Sequence, residues 1–190
     1  HCLLCDYLEY RGDYRGLALL QLYRSYFAMV RAKVALLREP ANRTDIDASE
    51  AYGEFRRYLT LAGQYSLPRT PFLAITHGVS GTGKSTVADK LAAAGAAVRI
   101  RSDVERKRLF GLAPEQRSDP ADEKQLYGSD MSRKTFERLE QLATEALGAG
   151  FSVIVDATFL HRYSRDRFRQ LAGQLGLPFV IIDCTASPDE

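Results

Sequence analysis

Nine consecutive residues have the types and spacing to hold a chain of phosphates: Gly78, Val79, Ser80, Gly81, Thr82, Gly83, Lys84, Ser85 and Thr86. They satisfy G-x-x-x-x-G-K-[ST] without a mismatch, a pattern whose chemistry follows from its parts. The three glycines carry no Cβ and tolerate positive φ, so backbone N–H groups can turn inward around an anion. A helix starting near Lys84 adds its positive dipole end and unpaired N–H groups. Lys84 is then placed to reach the β- and γ-phosphates, and the Ser85 hydroxyl to ligate Mg²⁺. These residues predict a nucleoside triphosphate site, with ATP and Mg²⁺ as the expected cofactors.

Phosphoryl transfer needs more than a cradle: a metal ligand, a group to handle the acceptor and extra positive charge. Phe151 to Asp156 is an apolar run ending in an acid, so Asp156 is the candidate second Mg²⁺ ligand. Asp103 follows the run Ala97–Arg101, where ligands of open α/β sheets bind, outside the carboxyl ends of the strands. Its carboxylate either takes the proton of an acceptor hydroxyl or caps a helix starting at Val104, and the two roles are compatible. Lys84 and Asp103 are therefore the catalytic candidates. Arg101 and Arg106 bracket Asp103, and Arg162 and Arg165 follow the Asp156 strand. Arg101 and Arg106 are the candidates for holding an anionic substrate, and Arg162 and Arg165 for contact with the γ-phosphate or the substrate. His77 and His161 are read as structural or solvated rather than as a metal pair.

The elements that must position these residues alternate strand and helix from Pro71 onward, which predicts a parallel sheet with helices on its faces. Strands are expected at Phe72–Thr76, Ala97–Arg101, Phe151–Asp156 and Phe179–Cys184. Helices are expected after Lys84, over Val104–Phe110, from about Asp130 to Gly148, and before Leu175. Gly95 is the expected C-terminal cap of the first of these. Residues 111–128 show no periodicity and read as a polar, lid-like loop.

Residues 1–66 read as helical. Leu19, Leu20, Tyr23, Tyr26, Phe27, Val30, Val34 and Leu37 form one apolar stripe, and Ala48, Ala51, Tyr52, Phe55, Tyr58, Leu59, Ala62 and Tyr65 a second. Pro40 and the polar stretch Ala41–Asp45 separate the two. Residues 67–71, with Pro68 and Pro71, form the linker, and residues 72–190 the nucleotide-binding domain. Cys2 and Cys5 have C-x-x-C spacing but no second pair, so they read as core residues at the start of a buried helix.

The 190-residue chain is 45% hydrophobic and 26% charged with a net charge of +2, an ordinary globular balance. No apolar run reaches the roughly 18 residues of a membrane span, and sparse cysteines fit a reducing cytoplasm. The basic stretch around Asp103 offers only Phe110 for base stacking, which disfavours nucleic acid without excluding it. The absence of N-K-x-D and L-S-G-G-Q disfavours a signalling GTPase and a transporter ATPase.

Thr76–Ser85, Arg99–Arg108 and Val153–Phe159 together resemble the zeta-toxin-like and polynucleotide-kinase-like P-loop kinases. They resemble more closely the C-terminal ATP-binding half of bacterial bifunctional aminoglycoside phosphotransferase/ATP-binding proteins. Cys5–Tyr10, Tyr23–Tyr26 and Val30–Val34 look like the last helices of the phosphotransferase-like half. The resemblance implies an α/β P-loop kinase-like fold with an N-terminal all-helical appendage. It implies nucleotide and Mg²⁺ at Lys84, Ser85 and Thr86, the acceptor-activating acid at Asp103 and the Walker B acid at Asp156. Residues 1–66 lack the choline-kinase-like H-G-D loop, so no transfer chemistry is expected of them alone. A chain that starts at His1 and stops beside its fourth strand is expected to be a piece of a longer protein, with lid arginines and a fifth strand following. The expected activity is transfer of the γ-phosphoryl group to a small-molecule hydroxyl. A polynucleotide 5′-hydroxyl kinase and a non-catalytic ATP-sensing module are the alternatives.

Overall fold

The computed structural model describes residues 3–38, 49–67, 69–95, 97–116 and 119–185. Cys2, Pro40, Ala41–Asp45, Ala48 and Pro68 of the sequence reading lie outside them. The elements in chain order are α1 (Leu3–Arg11), a 3-10 turn (Tyr14–Gly16), α2 (Leu17–Leu37), α3 (Glu50–Ser66), β1 (Leu73–His77), α4 (Lys84–Ala93), β2 (Val98–Arg101), α5 (Ser102–Phe110), α6 (Pro120–Leu126), α7 (Ser129–Gly148), β3 (Val153–Asp156), α8 (Arg162–Gln174) and β4 (Phe179–Asp183). They group into two compact units, residues 1–15 with 70–190, and residues 16–69.

In the larger unit the four strands are all parallel, in the order β2-β3-β1-β4. Unbroken apolar runs suit central parallel strands, which helices cover on both faces. β3 is buried along its whole length and β1 up to His77, whereas the edge strand β4 leaves Val180 and Ile181 exposed. The chain passes from β1 to β2 and returns through β3 between them. β4 lies on the other side of β1, so the winding reverses at the β3–β1 pair. A crevice opens outside the carboxyl ends of strands at such a reversal. His77, Arg101 and Asp156 are the last residues of the strands around it.

Helix ends follow local chemistry. Gly95, at φ +74°, turns its N–H back to the Ala92 carbonyl at 2.9 Å and closes α4. The expected loop over 111–128 contains α6, started by Pro120 in its first turn and anchored by the buried Leu126. A helix of two turns is too short to display a period, which is why composition alone read it as loop. Phe159 stacks edge-on with Phe136 of α7 and Phe168 of α8, fixing the chain after β3.

The reading of residues 1–66 as one helical segment needs correction at its start. α1 packs on β2 in the larger unit, with Cys5, Leu8 and Tyr14 buried. Cys5 is a core residue as expected, but Leu3 is exposed. The smaller unit is the α2–α3 pair. Ser49 caps α3 by accepting the Tyr52 N–H at 3.0 Å, and the Arg24 guanidinium lies 4.1 Å from the Tyr65 ring centre. The buried residues of α2 are Leu17, Ala28, Ala32 and Ala35, while Leu19, Tyr23, Tyr26, Phe27, Val30 and Leu37 are exposed. Alanines let the two helices approach closely, and the larger side chains of the expected stripe point outward.

Candidate active site

The loop from Gly78 to Gly83 takes the shape its glycines allow. Gly78, Gly81 and Gly83 have φ values of +136°, +90° and +76°, and Gly83 forms the N-cap of α4. A Cβ on Gly78 would overlap the Cys184 carbonyl oxygen, whereas Gly81 and Gly83 have nothing within 4 Å. Gly78 is thus required by packing, and the other two by backbone conformation. Lys84 opens α4, and its ammonium donates to the Val79 carbonyl, inside its own loop.

Two clamps join this loop to the end of β3. Thr76 donates its hydroxyl to the Ala157 carbonyl at 2.7 Å and accepts the Ala157 N–H at 3.1 Å. Gly78 N–H reaches the Thr158 carbonyl at 3.3 Å. Asp156, only 5% exposed, directly precedes the clamped residues and faces Arg101 across the β2–β3 register. The sequence reading missed Thr76, although a hydroxyl at the end of an otherwise apolar strand was the signal. His77 is tied through Nδ1 to Asp183 at 2.8 Å, and His161 forms the N-cap of α8, stacked on Tyr163. No cluster of three or more metal-ligating side chains of the His, Cys, Asp and Glu types occurs among the described residues.

Between the loop and the ends of β2 and β3 lies a cavity of about 300 Å³. Lys84, Ser85 and Thr86 line it on the loop side, with Ser80, Gly81 and Gly83. Asp156, Arg101 and Asp103 line it opposite, together with Ser102, Ala157 and Thr158, which the sequence reading did not name as site residues. Val79, Thr82 and Gly78 belong to the loop but not to the cavity wall. Thr82 instead turns its hydroxyl to the Val79 carbonyl at 3.0 Å.

Asp103 is not the helix cap that was the alternative to a chemical role. α5 begins at Ser102 with Arg101 as its N-cap, because Arg101 leaves β2 still extended. Asp103 therefore sits within the first turn and pairs with Lys107 at 3.3 Å. Lys107 also donates to the Pro114 carbonyl at 3.1 Å, which steadies the segment after α5.

Of the four arginines proposed for substrate, Arg101 alone lines the cavity. Arg106 lies over the Tyr127 ring at 4.9 Å. Arg162 is exposed and pairs with Asp166 at 3.5 Å. Arg165 donates to the Phe159 and Leu160 carbonyls at 2.7 and 2.8 Å, bracing a turn in which Phe159 has φ +45°. Arg106 is thus engaged by a ring, Arg162 by a carboxylate and Arg165 by local carbonyls, and none of the three lines the cavity.

The donor set fits a triphosphate with a divalent cation. The positive-φ glycines leave the cradle open, a lysine starts the helix, and a hydroxyl and a buried carboxylate face the same space.

Residues 73–190 match the AAA domain family, and the chain belongs to it. Uncharacterized proteins of Mycobacterium tuberculosis and Mycobacterium bovis are 31% identical over 186 residues. The alignment covers 98% of this chain but 36% of theirs, so the chain spans about a third of the length of these relatives. Among solved structures, a candidate kinase from Chloroflexus aurantiacus has a TM-score of 0.50 at 24% identity, covering 64% of this chain and 63% of that one. That likeness concerns the fold, which is P-loop kinase-like: a parallel sheet flanked by helices, with a helical N-terminal region.

Proposed function

We propose that this member of the AAA domain family binds Mg·ATP at residues 78–86 and transfers the γ-phosphoryl group to a hydroxyl of a small molecule. One observation carries the reading: Lys84, Ser85, Asp156 and Asp103 surround a single cavity. A phosphate-binding loop by itself needs only the first two. A carboxylate across the cavity, at the first turn of α5, adds a place for an acceptor.

Mg·ATP, when bound, supplies the phosphoryl group and the positive charge of the metal. The chain's own residues do the rest. The loop amides and Lys84 hold the phosphates, with the lysine exchanging its bond to Val79 for theirs. Ser85 and Asp156 would hold the metal, with Asp156 directly before the Ala157 that Thr76 clamps. Asp103 accepts the hydrogen bond and proton of the acceptor hydroxyl.

Residues 1–66 are read, by their resemblance, as the end of an aminoglycoside-phosphotransferase-like domain, although α1 packs on β2 of the larger unit. The exposed aromatic and aliphatic side chains of α2 support this, since isolated helix pairs seldom carry so many. A cytoplasmic setting agrees with the use of ATP, and no described helix is long and apolar enough to cross a membrane.

The test is a screen of hydroxyl acceptors with labelled Mg·ATP on the full-length protein, with Lys84→Ala beside it. Transfer to one acceptor class, lost in the variant, is expected. Tight ATP binding without transfer to any acceptor would instead make the domain a nucleotide sensor. Preferred transfer to 5′-hydroxyl oligonucleotides would make it a polynucleotide kinase.

A further inference from the structure

Arg101 is the only guanidinium lining the cavity among the described residues. Its side chain is 35% exposed, and one nitrogen, Nη1, donates to Glu9 Oε2 at 3.3 Å. Among the described residues no other partner engages its fork. The free edge of the guanidinium can therefore take a planar or tetrahedral oxyanion through paired hydrogen bonds.

Glu9 comes from α1, far away in sequence, and does two things at once. Its Oε1 accepts from Arg99 Nε at 3.2 Å and Nη2 at 2.8 Å, while Oε2 takes Arg101. Arg99 and Arg101 alternate along β2, so they project from one face of the strand, the face that meets Glu9. Arg99 is largely buried and continues to the Ser85 carbonyl at 3.4 Å and to Asp89 at 3.5 Å. Glu9 is fixed in turn, because Arg108 donates to its carbonyl and its neighbour Leu8 is buried. The cavity arginine is thus braced by a carboxylate that the rest of the unit holds rigid. Arg99 also has Asp89 as a partner, whereas among the described residues Arg101 has only its share of Glu9, so its guanidinium stays incompletely paired on the cavity wall beside Asp103.

We propose that the acceptor is an anionic hydroxyl compound whose carboxylate, sulfate or phosphate group is held by Arg101, with Glu9 as a positioning residue. This rests on the reading of the cavity as a phosphoryl-transfer site. Glu9 of α1 then supports the acceptor site from outside the cavity wall, through Arg101.

The two effects of Glu9 on a bound anion have opposite signs, which makes the idea testable. If Glu9 merely adds negative charge, neutralising it must tighten anion binding. If it positions Arg101, neutralising it must weaken binding. The full chain is saturated with Mg·AMPPNP, so that the loop cannot take a second phosphate. It is then titrated calorimetrically with inorganic phosphate, sulfate, glycerol 3-phosphate and, as the neutral counterpart, glycerol. Glycerol 3-phosphate is expected to bind about tenfold or more tighter than glycerol. Arg101→Ala is expected to erase that preference, and Glu9→Gln to weaken phosphate binding about three- to tenfold. Far-ultraviolet circular dichroism and the thermal midpoint report that both variants fold, and each is titrated at saturating Mg·AMPPNP. Equal binding of the charged and neutral compounds, or a preference surviving in Arg101→Ala, overturns the anionic acceptor. Tighter phosphate binding in Glu9→Gln overturns the positioning role. Failure of the parent to bind Mg·AMPPNP is a separate result; it removes the nucleotide reading and this proposal with it.

Discussion

Gly78 and Gly83 belong to the same loop, yet alanine at the two positions should fail in different ways. At Gly78 a side chain meets two obstacles. The φ of +136° lies outside the basins of L-residues, which costs about 1–3 kcal/mol. The new methyl would also overlap the Cys184 carbonyl oxygen and come within 2.9 Å of Thr82 Oγ1. Cys184 cannot retreat freely, because its N–H donates to the His77 carbonyl at 2.9 Å, continuing the β1–β4 ladder. Overpacking against fixed backbone costs about 1–3 kcal/mol more. Gly78→Ala should therefore lose roughly 2–6 kcal/mol, a large share of a typical domain's total stability. Gly83, at φ +76°, has nothing within 4 Å of a Cβ. It incurs the left-handed penalty alone, about 1–2 kcal/mol, partly offset by the lower entropy of the unfolded alanine chain. Gly83 lines the cavity, however, so a shift of its backbone falls on the phosphates. Urea unfolding without ligand and titration with a fluorescent ATP analogue separate the two costs. Gly78→Ala should show the lower unfolding midpoint, and Gly83→Ala the greater loss of affinity per unit of stability lost. Equal destabilisation by both substitutions would refute the assignment of Gly78 to packing.

Three further substitutions test other parts of the site and its frame. Asp103→Asn keeps the size of the side chain but removes the proton acceptor, so transfer should fall by about 10²–10⁴ while ATP affinity stays close to the parent's. Near-parent transfer would reduce Asp103 to a partner for Lys107. Tyr14 buries its hydroxyl without a hydrogen-bond partner among the described residues, so Tyr14→Phe should stabilise the fold by about 1–3 kcal/mol in denaturant unfolding. Burial, reinforced by Glu105, pushes the Tyr14 phenol well above its ordinary value. The folded state therefore keeps the proton that the unfolded chain releases above pH about 10. Stability of the parent should fall from that pH upward by about 1.4 kcal/mol per unit through this group, and Tyr14→Phe should lack that component. Arg165→Ala should lose about 1.5–3 kcal/mol of stability, because it releases the Phe159 and Leu160 carbonyls, with ATP affinity unchanged. A fall in affinity at constant stability would return Arg165 to the phosphates.

The residues legible in the sequence are those whose role is written in their neighbours. The turn from Gly78 to Gly83 and the helix start at Lys84 follow from the loop's own residues, and the place of Asp156 at a strand end follows from the apolar run before it. Asp103 was half legible. Ser102 and Asp103 are both good caps, but nothing local says that Arg101 stays extended and takes the cap position without a side-chain bond. Arg106 was misplaced because its partner Tyr127 follows a helix too short to show a period, although Pro120 marked where that helix starts. The α2 stripe was real as a pattern, but periodicity does not say which face meets α3, and the alanines won. Glu9 was beyond reach, since its pairing with Arg99 spans 90 residues and no local rule connects them.

That long-range pairing also decides where α1 belongs. In chain order α1 leads into α2, and helical pattern alone groups the two. Charge burial argues otherwise. Glu9 serves two arginines of β2 and is itself held by Arg108 of α5. Glu105 of α5 is 1% exposed and pairs with Arg108, with Arg138 of α7 at 3.6 Å. Tyr14 lies close enough for Glu105, Arg108 and Glu9 all to act on its phenol. Removing α1 would leave Arg99 without its principal carboxylate, and buried charges without partners cost several kcal/mol. The same ion pairs that make the segment indispensable to the sheet run through Arg101 into the cavity. Their placement fits a frame that braces the acceptor side of the site and also touches the phosphate loop, where Arg99 donates to the Ser85 carbonyl.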